Sequence, residues 1–273
     1  FNASALCPCY GLAEATLMAT SCRAGDGAVV KSFNDAAQPL IDCGAIPALH
    51  DVTIVDPESL QGCADGRVGE IWLSGPSVAQ GYFGNSEATE RTFPERQGRD
   101  GASVRMLRTG DLGFVRDGRL YVSGRLKDLI IIRGRNVYPQ DIEQTLLDAV
   151  PGLHRGRIAA FSVPRDGKES VGVAVELASA VLRERGAEAL FDDIRKAIAA
   201  HHQEQVELIA LLKPGQLPRT SSGKLRRSAC AEGIERETLR PIAVHRRSEP
   251  PPESLERASV PPRSIVEHAL ANL

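Results

Sequence analysis

Apolar positions recur along this chain with two periods, and the change of period marks out its elements. Over residues 52–82 they alternate with polar ones or fall in short runs, 52–55 and 69–73, punctuated by Asp56-Pro57, Asp65-Gly66 and Gly75-Pro76. That pattern predicts strands joined by turns, with Trp72 in the core. The densest stretch is 107–143. There Phe114-Val115-Arg116 and Leu120-Tyr121-Val122 flank Asp117-Gly118, a dipeptide that supplies the positive φ angles of a tight hairpin. Residues 129–132 are apolar enough for a buried strand, Gly134-Arg135-Asn136 is read as a turn, and Pro139 suits a first helical turn. Ile142, Leu146 and Ala149 share one helical face, which Pro151-Gly152 ends.

Further on, 158–163 and 171–177 predict strands joined by a turn at 164–167. Leu190, Ile194, Ala197 and Ile198 mark one face of a helix from about 187 to 203, and 206–212 predicts another strand before a loop at Lys213-Pro214-Gly215. Residues 21–45 read as a loop with one or two short strands, and 85–101 as a polar surface loop with a helical piece at 87–93. From Glu249 onward the chain reads as an extended Pro- and charge-rich linker, and 264–270 as the opening turns of another helix.

Composition narrows the function classes. Thirty-three Lys and Arg face 35 Asp and Glu for a net charge of −2, so no global basic field draws the chain to nucleic acid. No apolar run approaches the ~18–20 residues of a membrane span. The six cysteines are irregularly spaced in a chain of 273 residues, which is too long to need disulfide staples; they are expected to be reduced and structural, as in a cytoplasmic protein. Cys7-Pro8-Cys9 lacks zinc-site spacing. His201-His202 are adjacent on a helix and cannot face one ligand, so they are read as helix-end chemistry. The opening, Phe1-Asn2-Ala3, has neither an initiating Met nor a signal segment and reads as cut from a longer chain.

Three places carry candidate chemistry. Thr109-Gly110-Asp111 sets a carboxylate at the lip of a strand, where it can accept hydrogen bonds from vicinal hydroxyls. Glu14 follows the small residues of Tyr10-Gly11-Leu12-Ala13, and carboxylate oxygen suits a hard cation shared with phosphate. Lys224, in Thr220-Ser221-Ser222-Gly223-Lys224, is a compact charge on a flexible stem, suited to oxygens that gain charge at phosphorus. The Arg219, Lys224, Arg226 and Arg227 cluster has no interleaved aromatic residues for base stacking, which argues against an RNA surface.

Taken together, Tyr10-Gly11-Leu12-Ala13-Glu14, the ribbon from Arg108 to Glu143, and Leu217-Pro218-Arg219-Thr220-Ser221-Ser222-Gly223-Lys224 closely resemble the ordered motifs of the adenylate-forming superfamily. Within it they look most like fatty acyl-AMP ligases. The resemblance covers about residues 1–235. It implies an α/β chain: the C-terminal β-rich portion of the large AMP-binding domain (1–127), a small mobile α+β lid domain (128–247), then a linker and possible start of a carrier domain (248–273). It implies ATP and Mg²⁺, with Tyr10 and Gly11 on the adenine side, Asp111 and Arg125 on the ribose, Glu14 on the metal, and Lys224 as the catalytic charge. Lys127 would be the hinge, and Gly134 and Asn136 would line the thiol tunnel. The implied substrates are a fatty acid and a carrier protein bearing phosphopantetheine. A CoA ligase of the same fold and a catalytically silent carrier-docking remnant are the alternatives. The superfamily's Ser/Thr/Gly-rich phosphate loop is not found in the sequence, so the 273 residues alone are expected to make little acyl-adenylate.

Overall fold

The computed structural model describes residues 1–33, 38–97 and 103–247. Its first half is built on one antiparallel sheet. The strands are β1 (Cys9–Tyr10), β2 (Thr20–Ser21), β3 (Val30–Lys31), β4 (Leu40–Ala45), β5 (Asp51–Val55) and β6 (Gly69–Ser74), then β9 (Leu107–Arg116) and β10 (Arg119–Arg125). They run in the order β1-β2-β4-β10-β9-β6-β5, with β3 paired to β4. A short ribbon of β7 (Glu95–Gln97) and β8 (Ser103–Arg105) follows helix α1 (Ser86–Thr92), whose Asn85 cap accepts from Ala88 N at 3.0 Å. Every residue of β6 is buried, Trp72 at 2% exposure.

The region read as a loop with one or two short strands, 21–45, holds β3 and, in the middle of this sheet, β4. Its polar and glycine-rich sequence hides a strand that pairs on both sides. Gly44 has φ 96°, and a Cβ there would lie 1.8 Å from the Ser21 carbonyl carbon, so only glycine allows β2 and β4 to approach. The hairpin at Asp117-Gly118 is as predicted: φ is 53° and 71°, and Arg116 pairs with Arg119.

The second half is an α+β unit. Strands β11 (Ile130–Ile132) and β12 (Arg135–Val137) form a small ribbon. The chain reverses at Arg133-Gly134, φ 52° and 76°, rather than at 134–136, so Arg135 and Asn136 lie on a strand. A four-stranded sheet, β13 (Ile158–Arg165), β14 (Lys168–Glu176), β15 (Val206–Leu212) and β16 (Ala243–Arg246), has β14 and β15 parallel and its other pairs antiparallel. Helices α2 (Pro139–Ala149) and α4 (Ala187–His202) cover one face with Ile142, Leu146, Leu190, Ile194 and Ile198; α3 (Ser179–Arg185) precedes α4. Helix α5 (Arg227–Glu235) covers the other face through Cys230 and Ile234. Burial pushes the Cys230 thiol up to about 12. All six cysteines are free. The apolar clusters of the two halves are separate: one set draws on residues 10–120, the other on 130–239. The expectations for residues 248–273 lie outside the described residues. Among those described, no helix is long and apolar enough to cross a membrane.

Candidate active site

Two irregularities in register build the site. Between Arg119 and Val122, β10 pairs with β9 in ideal antiparallel register; Ser123 is then an extra residue, so Gly124 faces Leu112 and Arg125 faces Asp111. Without that bulge Arg125 would sit opposite Gly110, with its side chain on the other face of the sheet. On its other edge β9 carries two extra residues between its pairings with Glu70 and Trp72, which lifts Thr109-Gly110-Asp111 out of the ladder, Gly110 at φ 69°.

Glu70 fills the space beneath that bulge. Its buried carboxylate accepts from Trp72 Nε1 at 2.9 Å, from Arg108 Nη2 at 3.0 Å and Nε at 3.2 Å, and from Gly110 N at 3.2 Å. The Thr109 hydroxyl donates to the Ile71 carbonyl at 2.7 Å and accepts from Asp111 N at 3.1 Å. Asp111, 8% exposed, is thereby aimed at two donors. The Tyr10 hydroxyl donates to its Oδ2 at 2.8 Å and Arg125 Nε to its Oδ1 at 2.9 Å. Burial, then the Asp111 charge, holds the Tyr10 phenol well above its ordinary range, so it stays a donor. The bond to Asp111 raises the Arg125 guanidinium. Arg125 remains 54% exposed along its side chain, and among the described residues its Nη atoms have no hydrogen-bond partner, which leaves them to serve the cleft. Each carboxylate oxygen of Asp111 retains a further lone pair for a hydroxyl donor.

Gly11 follows Tyr10 where a Cβ would overlap the Leu17 carbonyl oxygen at 1.8 Å, so the chain folds back there only on glycine. A single 3₁₀ turn, Ala13–Ala15, carries Glu14. Glu14 Oε1 accepts from the Tyr82 hydroxyl at 2.8 Å, and its main-chain oxygen accepts from Ala79 N at 2.8 Å. Burial, then the bond to Glu14, raises the Tyr82 phenol. Glu14, Tyr82, Arg91, Arg108, Gly110, Arg125 and Lys127 line one open cleft of about 670 Å³. Among the described residues no group of three or more His, Cys, Asp or Glu could hold a metal. Glu14 offers one carboxylate, which fits a cation delivered on phosphate oxygens rather than one caged by protein.

The cleft therefore gathers Glu14, Arg125 and Lys127, with Tyr10 and Asp111 locked behind Arg125. Lys224, Gly134 and Asn136 do not line it. Lys224 is exposed at the tip of a turn closed by Thr220 N to Lys224 O at 2.8 Å and Lys224 N to Thr220 Oγ1 at 3.0 Å. Lys127 sits in a single 3₁₀ turn, Leu126–Asp128, flanked by extended residues. Sequence reasoning missed Glu70, Tyr82 and the bulge residue Ser123. A glutamate set between Gly69 and the apolar run Ile71-Trp72-Leu73 is the one signal that was present, since such a charge needs partners.

Comparison with known proteins places this geometry. The model of the AMP-binding enzyme family matches residues 1–83. Medium-chain-fatty-acid acyl-carrier-protein ligase JamA of Moorena producens is 39% identical over 250 residues, which cover 84% of this chain and 42% of that one. A structure from work on the fatty acyl-adenylate ligases of E. coli and L. pneumophila superposes with TM-score 0.70 at 31% identity, covering 87% of this chain and 43% of that one. The chain belongs to the adenylate-forming superfamily. It is of the fatty acyl-AMP-ligase-like kind, and it spans less than half the length of these two relatives. ATP-bound MatB from Rhodopseudomonas palustris also superposes, with TM-score 0.60 at 26% identity over 84% of this chain and 40% of that one. The fold is thus the α/β arrangement expected, a β-rich sheet followed by an α+β unit.

Proposed function

We propose that this chain forms the nucleotide-contacting wall and the lid of an AMP-forming fatty acid ligase. The observation that carries the proposal is the interlocked Tyr10–Asp111–Arg125 unit, set by two bulges at the cleft that also holds Glu14. Asp111 and Arg125 hold the ribose of ATP, Tyr10 and Gly11 flank its adenine, and Glu14 binds Mg²⁺ carried by the phosphates. That cation offsets charge on the phosphate oxygens. A fatty acid carboxylate attacks the α-phosphorus, the bond to the bridging oxygen breaks, pyrophosphate leaves, and acyl-adenylate remains. A thiol then attacks the acyl carbon and AMP departs. The acceptor is a carrier-protein phosphopantetheine.

Lys224 supplies charge at the reacting phosphorus after the lid, residues 128–247, rotates about Lys127. The exposure of Lys224 outside the cleft and the single turn around Lys127 support a rigid-body movement of this kind. A further rotation brings the β11–β12 ribbon, with Gly134 at its turn and Asn136 on β12, to the thiol. The 273 residues alone make little adenylate, because the phosphate-cradling loop is not found among them.

The test uses the gene product that carries this chain, with labelled dodecanoate, ATP and Mg²⁺, and free CoA and holo-carrier protein in parallel. Label on the carrier supports the proposal. Accumulating acyl-CoA makes it a CoA ligase, and no adenylate with either acceptor makes it a silent docking remnant.

A further inference from the structure

A groove on the lid lies away from the cleft, between the C-terminal half of α4 and strand β16. Its volume is about 430 Å³, and Arg195, Lys196 and Arg247 stand on its walls around Glu204 and His245. Glu204 is buried and engaged by Arg135. Arg195 shares its charge with Asp192 at 3.4 Å on an exposed helical turn. Lys196 and Arg247 have no carboxylate partner among the described residues. The imbalance extends to the whole lid: residues 128–247 carry 19 Lys and Arg against 16 Asp and Glu, whereas residues 1–127 carry 12 against 15. Two cations without a carboxylate partner among the described residues, Lys196 and Arg247, therefore stand at this groove on a chain whose net charge is −2.

Its position is informative as well. Arg135 belongs to β12, next to Gly134 and Asn136, so the Arg135–Glu204 pair ties the edge of the groove to the turn assigned to the thiol. We infer that this groove docks the acidic face of the thiol-bearing carrier protein, with Lys196 and Arg247 as its principal contacts. The inference rests on the carrier reading of the proposed function. Exposed charges of this kind set partner orientation and association rate and are screened by salt.

The test is fluorescence-anisotropy titration of a labelled, acidic holo-acyl carrier protein with the 273-residue chain, at about 50 and about 300 mM salt. The double variant K196E/R247E is compared with Lys213→Glu, the same kind of charge reversal at an exposed site outside the groove. The expected result is a Kd raised about tenfold or more in the double variant and less than about twofold in Lys213→Glu, with wild-type binding weakened by salt. Equal losses in both variants, or none in either, with wild-type binding intact, overturn the groove and leave the carrier reading standing. Displacement of the carrier from the groove by free CoA reassigns it to a small phosphate ligand. No binding of the carrier by the wild-type chain counts against the inference and the carrier reading together.

Discussion

Both oxygens of Asp111 are engaged, one by the Tyr10 hydroxyl and one by Arg125 Nε, so removing the carboxylate strands a buried phenol and a guanidinium at once. Asp111→Ala should therefore cost about 2 kcal/mol in urea unfolding, less than a fully buried pair because Arg125 is half exposed. Glu70 holds more donors and is 2% exposed. Glu70→Ala should cost about 3 kcal/mol and release the Gly110 bulge, which a shift of the Trp72 indole N–H resonance would report. Of these two acids only Asp111 was legible in the sequence. It stands beside a hairpin whose Asp-Gly turn announces itself, whereas the role of Glu70 exists only once β6 and β9 have paired out of ideal register.

Strand β10 shows what one residue of register does. Deleting Ser123 should close the bulge while leaving Gly124 opposite Leu112 and Arg125 opposite Asp111, so nucleotide affinity in the natural gene product should change less than about threefold, whereas Arg125→Ala should lower it at least about tenfold. Equilibrium binding of ATP measures this. Helices α2 and α4 were legible because their apolar spacing is regular; α3, α5 and β16 were not, being short or having burial that depends on the sheet beneath. The end of α4 carries a pH dependence. Burial, then the neighbouring His201, lowers the proton affinity of His202, whose ring nitrogen meets the Thr145 hydroxyl at 2.8 Å. The unfolded chain then binds more protons than the folded one, so stability is present above the ordinary value of 6.5 and is lost as pH falls below it. Thermal unfolding from about pH 8 to about pH 5.5 should show that slope, and His202→Gln should flatten it.

The α+β unit is fastened internally close to Lys127. Arg227, at the start of α5 and three residues beyond Lys224, donates to both oxygens of Glu143 on α2, at 2.7 and 2.8 Å, and to Asp128 at 3.3 Å. The basic cluster of the Lys224 loop is thus partly a buried tie rather than a surface patch, a distinction that charge spacing alone does not make. The tie joins the Lys224 loop, α2 and Asp128, whereas Tyr10, Asp111 and Arg125 belong to the other sheet, so the proposed rotation would carry the first group past the second. Fatty acid-dependent exchange of labelled pyrophosphate into ATP tests that account most directly, with the natural gene product and its Lys224→Ala and Lys213→Ala variants. Robust exchange is expected, with a loss of about 10²–10³-fold in Lys224→Ala and no change in Lys213→Ala. Exchange that persists undiminished in Lys224→Ala would contradict it.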